Sequence, residues 1–254
     1  MVRELRPPFV PMEALSVDEV PVGPEWQYEP KWDGFRCLVF CDGDRITLQS
    51  KSGKPLTRYF PDVVEAVRAL AAKTFVLDGE IVVPQGKLFS FDALLHRIHP
   101  AASRVQKLAK ETPAMLFVFD LLHDADRTML ADEPLTTRRT RLEAFTRKYF
   151  PKSGRIRLSP ATTKLADAKK WLTRVGATLD GIIAKRRDVP YCGGDRTGMQ
   201  KVKTTARPTA WSAASATTKA SRSPARSCSG SMAMTASSTT LASPPRSRTR
   251  TSPI

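Results

Sequence analysis

Lys31-Trp32-Asp33-Gly34-Phe35-Arg36 is the most informative segment of this 254-residue chain. It places an amine, a carboxylate and a guanidinium close together, around a glycine that permits a tight turn or close approach to a ligand. Neighbouring cations disfavour the ammonium form of a lysine, so Lys31 is a candidate nucleophile. Arg36 offers a planar fork suited to phosphate or ribose oxygens. Taken alone, the segment also fits an ordinary charged hairpin strand.

Five further elements follow the Lys31 segment along the chain. They are Ser50-Lys51-Ser52-Gly53, Asp78-Gly79-Glu80, Phe117-Val118-Phe119-Asp120, Leu179-Asp180-Gly181-Ile182-Ile183-Ala184-Lys185 and Lys201-Val202-Lys203. Each is a weak signal singly, because an acidic strand end is usually solvated and a Lys-x-Lys pair usually lies on the surface. Their order and spacing together form a specific pattern that follows one candidate nucleophile.

Hydrophobic periodicity predicts an α+β fold, with antiparallel sheets flanked by helices, over residues 1–203. Two apolar runs around Asp42-Gly43-Asp44 predict a hairpin from Phe35 to Leu48. Residues 1–27 are predicted to form an irregular, proline-punctuated lead-in. The other predicted strands are Phe75–Val83, Met115–Leu122, Ile182–Lys185 and Lys201–Lys203, and the predicted helices are Pro61–Lys73, residues 90–98, Leu135–Tyr149 and Leu165–Val175, the last ended by Gly176.

The charge balance favours a polyanionic partner. The chain contains 41 Lys and Arg against 25 Asp and Glu, a net charge of +16, and nucleic acid is the default partner for such an excess. The four cysteines show no metal-type spacing; Cys37 and Cys41 share one face of a strand but lie too far apart for an easy disulfide, which favours reduced thiols. No apolar segment of signal-peptide or membrane-spanning length is found, so we expect no membrane association.

Residues 204–254 differ sharply from the rest of the chain. Ser, Thr, Ala, Arg and Pro make up 43 of these 51 residues, with 7 basic and 0 acidic side chains, which leaves a net charge of +9 for residues 1–203. Such a segment buries too little apolar surface to offset its ordering entropy, so we predict a disordered basic tail. A natural linker is one interpretation. We favour a GC-rich gene translated out of frame, since 46 of the 51 residues have C or G at the second codon position.

Together, the six elements resemble the nucleotidyltransferase domain of ATP-dependent DNA ligases, above all that of bacterial enzymes of end joining and repair. Residues 31–36 match the adenylation motif K-x-D-G-x-R in full, and the resemblance covers about residues 10–203. Asp180 stands where many relatives have Glu, and Lys51 where relatives often have Arg; neither change removes a charge. The resemblance implies an ATP-grasp-like fold, and the tail, decoded in the shifted frame, is similar to the opening strands of the family's OB-fold domain.

The resemblance also implies roles for individual residues. Lys31 would attack the α-phosphate of ATP and hold AMP through a phosphoramide bond, with Lys185 and Lys203 as further catalytic residues. Phe119 would stack on adenine, Glu80 would bind ribose or metal, and Asp180 would help hold a Mg²⁺ or Mn²⁺ ion. The complete implied ATP-binding set is Glu29, Lys31, Asp33, Arg36, Lys51, Glu80, Phe119, Ile183, Lys185, Lys201 and Lys203, with Glu80 and Asp180 as the metal ligands.

The implied activity is ATP-dependent sealing of nicked double-stranded DNA in repair. An RNA ligase or capping-type nucleotidyltransferase is the alternative within enzymes, and a non-catalytic nucleic-acid-binding remnant is the alternative outside them. We expect a monomer in the cytoplasm, associated with the nucleoid and with end-joining repair proteins. If the tail replaces an OB-fold domain, overall ligation is expected to be impaired.

Overall fold

The structure, a computed structural model, describes residues 5–86, 88–172 and 179–203. Two sheets form its centre. The smaller sheet has the strand order β1-β11-β10-β2, built in that order from Leu15–Ser16, Met199–Val202, Leu179–Arg186 and Trp26–Trp32. The larger sheet has the order β4-β3-β5-β8-β9, built from Arg45–Ser50, Phe35–Asp42, Thr74–Val82, Met115–His123 and Ile156–Leu158. A short hairpin, β6 (Pro84–Gln85) and β7 (Leu88–Phe89), follows β5.

Helices cover the outer faces of the two sheets. They are α1 (Pro61–Arg68), α2 (Phe91–His96), α3 (Ala102–Glu111), α4 (Leu135–Tyr149) and α5 (Leu165–Leu172). Proline at the first position of α1 costs no hydrogen bond, because that N–H would have no helical partner. The Ser90 side chain caps α2 by accepting a hydrogen bond from the Ala93 N–H at 3.1 Å. Within the described ranges, no helix combines the length and apolar character needed to cross a membrane.

The period-2 alternation of β3 explains the layering. Cys37, Val39 and Cys41 point into the core beneath α1 and α4, whereas Leu38 and Phe40 point into a second core shared with the smaller sheet. On the far side of the smaller sheet, the even positions of β10 pack against α5. The order of layers is therefore helices, larger sheet, smaller sheet and α5, and the inner faces of the two sheets meet each other.

Most of the predicted elements are present, and the α+β fold class is confirmed. The hairpin lies where it was predicted, with Gly43 in the left-handed region at φ 61°, and α4 has the predicted bounds, Leu135–Tyr149. Cys37 and Cys41 are free and buried, as expected for reduced thiols. Predicted strands at Phe75, Met115, Ile182 and Lys201 correspond to β5, β8, β10 and β11 within a few residues.

Several features differ from the prediction. The strand β2 was not predicted, and its first residues fall in the predicted irregular lead-in; its Pro30 is tolerated because β2 is an edge strand, where a missing N–H costs no ladder bond. The helix α3 and the strand β9 were also missed, and two edge pairs, β1–β11 and β8–β9, are parallel. Helix α1 ends at Arg68 rather than Lys73, because the chain must return to the hairpin turn, where the Lys73 carbonyl accepts a hydrogen bond from the Gly43 N–H at 2.7 Å.

Some predictions fall outside the described residues. These are the tail from residue 204 onward, the last residues of the helix predicted to reach Val175, and its stop at Gly176. The domain boundary at 203 and the out-of-frame origin of the tail therefore stay predictions.

Candidate active site

The Lys31 segment joins the two sheets, which explains why one short motif contributes to both. β2 ends at Trp32 in the smaller sheet, and β3 begins at Phe35 in the larger sheet. Gly34 lies at the crossing, where a Cβ atom would come within 2.2 Å of the Ile81 carbonyl oxygen. Only glycine permits this approach. Lys31 is thereby placed on one sheet and Arg36 on the other.

An open cavity of about 220 Å³ lies beside this crossing. Nine of the eleven predicted ATP-binding residues line it: Glu29, Lys31, Arg36, Lys51, Glu80, Phe119, Ile183, Lys185 and Lys201. Glu13, Ala14, Pro30, Trp32 and Met199 complete the lining. The elements that the sequence spreads over 170 positions therefore converge on one site, because the strands that bear them are neighbours in the two facing sheets.

Lys31 is held by a carboxylate at the edge of the cavity. Its Nζ lies 2.5 Å from Oδ2 of Asp180, and Nζ of Lys203 lies 3.0 Å from the same oxygen. Partial burial would raise the pKa of Asp180, but the hydrogen bonds from the two lysines prevail and lower it. Asp180 and Lys203 do not line the cavity themselves and join the site through Lys31. The nearest charged partner of the nucleophile is thus an anion, in contrast to the cationic surroundings expected from the sequence.

The Arg36 side chain forms an ion pair with the buried carboxylate of Asp78. Its Nε and Nη2 donate to Oδ1 and Oδ2 of Asp78 at 2.8 and 2.6 Å, a bidentate pair with a fully buried carboxylate. The Tyr191 hydroxyl donates to Oδ2 of the same carboxylate at 2.6 Å. The sequence places Asp78 in a motif but gives no signal for Tyr191, which is distant along the chain. The role of Arg36 toward a ribose remains a prediction.

Glu80 has an unusual environment for a carboxylate. Burial raises its pKa to about 8, although the positive charges of Arg36 and Lys31 act in the opposite direction. Among the described residues, none forms a hydrogen bond or an ion pair with its carboxyl group, which faces the cavity. This shift favours the protonated carboxyl group, which can donate one hydrogen bond and accept another.

Phe119 and Lys185 form the cavity wall opposite the crossing. Nζ of Lys185 lies 4.4 Å from the centre of the Phe119 ring, and the Arg36 guanidinium lies 5.1 Å from it. Nζ of Lys185 also forms a buried ion pair with Glu29 at 2.8 Å, and Gln27 donates to the other oxygen of Glu29 at 2.8 Å. A buried cation with a satisfied partner is fixed in direction, so Lys185 is a preorganised charge for an anionic ligand.

Two predicted site residues are placed less favourably. Asp33 is exposed at the crossing and does not line the cavity. Lys51 is exposed and pairs with Oε2 of Glu13 at 3.2 Å, an oxygen that also accepts from Arg196 at 2.9 Å. Neither Glu13 nor Arg196 was predicted, because the irregular lead-in and the loop before β11 show no periodic pattern that could have placed them.

Comparisons with known proteins agree with this geometry. Residues 11–203 match the family described as "ATP dependent DNA ligase domain". The chain is 47% identical to DNA ligase C1 of Mycolicibacterium smegmatis over 206 residues, covering 78% of this chain and 57% of that protein, and 44% identical to DNA ligase C of Mycobacterium tuberculosis over 199 residues, covering 78% and 54%. The chain thus spans about half the length of the curated relatives it matches.

Solved structures show the same relationship at the level of the fold. A mycobacterial DNA ligase D complexed with ATP and MES superposes with a TM-score of 0.56 at 26% identity, covering 77% of this chain and 60% of that one. The ligase domain of M. tuberculosis LigD gives a TM-score of 0.55 at 25% identity, covering 77% and 59%. With its cavity, its Lys31 segment and a family match over residues 11–203, the chain belongs to the ATP-dependent DNA ligase domain family.

Proposed function

We propose that this chain catalyses ATP-dependent ligation of nicked DNA through AMP bound covalently to Lys31. The carrying observation is the position of Lys31: its Nζ lies at the edge of a cavity whose wall offers an aromatic ring, an unpartnered carboxyl group and fixed cations. These groups match the parts of ATP, which are a flat base, ribose hydroxyls and phosphates. Phosphoryl transfer depends mainly on positioning and charge stabilisation, and such a set supplies both.

The cavity offers a chemically suitable side chain for the base, the ribose and the phosphates of ATP. The Phe119 ring offers a face for adenine. In its protonated form, which the raised pKa of about 8 favours, Glu80 can both donate to and accept from ribose hydroxyls. This favours the ribose role of Glu80 over metal ligation, because a metal ligand must be ionised. Lys185 and Lys201 line the cavity and would balance phosphate charge.

The adenylation step would form a bond from Nζ of Lys31 to the α-phosphorus of ATP and break the bond from that phosphorus to the pyrophosphate oxygen. Starting from the ammonium group paired with Asp180, Nζ gives up one proton to solvent to become a free amine and a second as the N–P bond forms, and pyrophosphate leaves. Lys31 must leave its ion pair with Asp180 and lose a proton before attack, since a protonated amine has no lone pair with which to form the new bond. Lys203 shares the same oxygen of Asp180 and would keep that carboxylate neutralised after release.

The carboxylates of the site could bind a divalent cation only together with the phosphates of a bound nucleotide. In the described ranges, no cluster of three or more His, Cys, Asp or Glu residues could hold a metal ion unaided. Mg²⁺ usually binds one or two carboxylates together with waters and substrate phosphates, and Asp180 beside Lys31 is the candidate carboxylate, whereas Glu80 would first have to lose its proton. When bound, Mg²⁺ or Mn²⁺ would supply positive charge at the phosphates.

The later steps concern DNA. AMP would pass from Lys31 to the 5′-phosphate of a nick, and the 3′-hydroxyl would then displace AMP to form the phosphodiester bond. The net charge of +9 for residues 1–203 suits a duplex partner. We infer a monomer that works in the cytoplasm at the nucleoid, in repair with end-joining proteins. If residues 204–254 replace an OB-fold domain, adenylation by ATP should suffer more than sealing of a nick that already holds AMP.

The test is covalent labelling of the full chain with α-labelled ATP and Mg²⁺. We expect stable label on the protein, its loss in Lys31→Ala, and its retention in Lys54→Ala, which removes an exposed lysine elsewhere. Label that survives Lys31→Ala would refute the assignment. Sealing assays on nicked DNA, nicked RNA and pre-adenylated nicked DNA then identify the substrate and show which step the chain performs best.

A further inference from the structure

Tyr191 lies in the loop between β10 and β11, outside every motif of the sequence, yet it contacts the centre of the site. Its hydroxyl donates to Oδ2 of Asp78 at 2.6 Å, and Nη2 of Arg36 lies 3.4 Å from the hydroxyl oxygen. Oδ2 of Asp78 thus accepts two hydrogen bonds, one from Arg36 and one from Tyr191. The side chain of Asp78 is fully buried, so its charge depends on these donors for compensation.

The position of the Tyr191 ring is fixed by contacts other than the hydrogen bond of its hydroxyl. It is stacked on Phe9 with 6.1 Å between ring centres, and the guanidinium of Arg138 lies 5.7 Å from its centre. Arg138 in turn forms a buried bidentate pair with Asp120, the residue after Phe119. Tyr191 therefore lies between two buried acid–arginine pairs, one leading to Arg36 and the other to the Phe119 strand.

The loop that bears Tyr191 also joins the two strands with the site lysines. β10 ends just after Lys185, and β11 includes Lys201 and precedes Lys203. Asp78 and Arg36 belong to the other sheet. The Tyr191–Asp78 hydrogen bond thus links the loop between the lysine strands of the smaller sheet to the arginine of the larger sheet, in the core between the two sheets.

We propose that Tyr191 is a positioning residue for nucleotide binding, which fixes the Arg36 guanidinium through the shared Asp78 carboxylate. It touches no reacting atom. Burial and the nearby Asp78 charge raise the pKa of Tyr191 well above its usual value, so the hydroxyl keeps its proton and remains a donor. This inference rests on the proposed function, in which Arg36 contributes to the ATP site.

The expected effect is on ATP affinity. In Tyr191→Phe the ring keeps its place, but Asp78 loses a donor and Arg36 must reorient to compensate the carboxylate. We expect the dissociation constant for ATP to rise about tenfold, equivalent to about 1.4 kcal/mol, while the rate of adenylation at saturating ATP changes little. If Tyr191 contributed only to stability, Tyr191→Phe would lower the melting temperature without changing the affinity for ATP.

Tyr28→Phe is the matched control. Tyr28 is also buried, and its hydroxyl donates a single hydrogen bond, to the Pro21 carbonyl at 2.8 Å, away from the cavity. Both variants lose one buried hydroxyl, so their melting temperatures should fall by similar amounts. Only Tyr191→Phe should weaken ATP binding, measured on the full chain by calorimetry without a divalent cation, so that no turnover occurs.

A double-mutant cycle with Arg36→Lys identifies the path of the effect. If Tyr191 acts through Arg36, Tyr191→Phe should add less than about twofold in the Arg36→Lys background, because coupled positions are not additive. If the fold-losses of ATP affinity in the two single variants multiply in the double variant, the proposal is wrong. Unchanged ATP affinity in Tyr191→Phe would overturn it as well. If Tyr191→Phe does not melt cooperatively, Phe9→Leu is the second variant, because it removes the aromatic ring that stacks on Tyr191. Unchanged ATP affinity in Phe9→Leu would also overturn the proposal.

The readouts also separate this proposal from the proposed function. A wild-type chain that binds ATP but takes no label on Lys31 would refute the ligase assignment while the affinity comparison still tests Tyr191. A wild-type chain that does not bind ATP at all would overturn both.

Discussion

Replacing Glu80 by glutamine should make the ligand-free protein more stable at pH 8. The pKa of this carboxyl is raised from 4.5 to about 8, chiefly by burial. The folded state therefore binds more protons than the unfolded state between these pH values, and stability must fall as pH rises through that window. Glutamine cannot ionise, so Glu80→Gln removes this loss of stability.

The magnitude follows from the width of the window. At about 1.4 kcal/mol per pH unit, a rise from 4.5 to about 8 corresponds to an upper limit of about 5 kcal/mol. The Glu80 side chain is only partly buried by its accessible surface, so solvent screening reduces the expected loss to about 2–3 kcal/mol. This is a large fraction of the stability of a typical domain. A functional carboxyl group in this position thus weakens the fold that holds it.

Urea unfolding of the wild type and Glu80→Gln at pH 5, 6, 7 and 8 measures the effect. The two proteins should be close in stability at pH 5 and diverge steadily toward pH 8, with the variant the more stable. Glu65→Gln, the same change on the exposed side of α1, should follow the wild type. Parallel curves for wild type and Glu80→Gln would refute the reasoning.

Three further predictions concern a buried ion pair, the close approach at Gly34 and the exposed basic side chains near Glu13. Arg97→Ala leaves the buried Asp62 without its bidentate partner and should cost about 3–5 kcal/mol in urea unfolding; wild-type stability would show that the pair contributes little. Gly34→Ala forces a Cβ atom to within 2.2 Å of the Ile81 carbonyl and should lower both the melting temperature and the extent of Lys31 labelling; normal labelling would contradict the close approach. Glu13→Gln frees the two exposed basic side chains that share its carboxylate and should tighten binding to nicked DNA about two- to threefold at low salt, with a steeper salt dependence; unchanged binding would place these cations away from the DNA.

The candidate nucleophile and most of the strands could be predicted from local sequence. The K-x-D-G-x-R segment needs no tertiary information, because its residue types and spacing are local. The hairpin around Gly43 and the helix Leu135–Tyr149 were likewise predictable, since each is specified by turn chemistry or a 3.6-residue period within its own boundaries. The exposed position of Asp33, beside half-buried neighbours, could not be seen at this level.

The tertiary structure alone decided which partner each charged group obtains. The sequence predicted cations around Lys31, whereas the pairing of β2 with β10 brings Asp180 to within 2.5 Å of its Nζ. It gave Tyr191 no role, because the hydroxyl reaches Asp78 only after the loop before β11 has folded over the larger sheet. Local pattern fixes which face a side chain occupies, but distances across 113 or 149 positions depend on strand order and sheet packing, which are settled by the burial of the whole core.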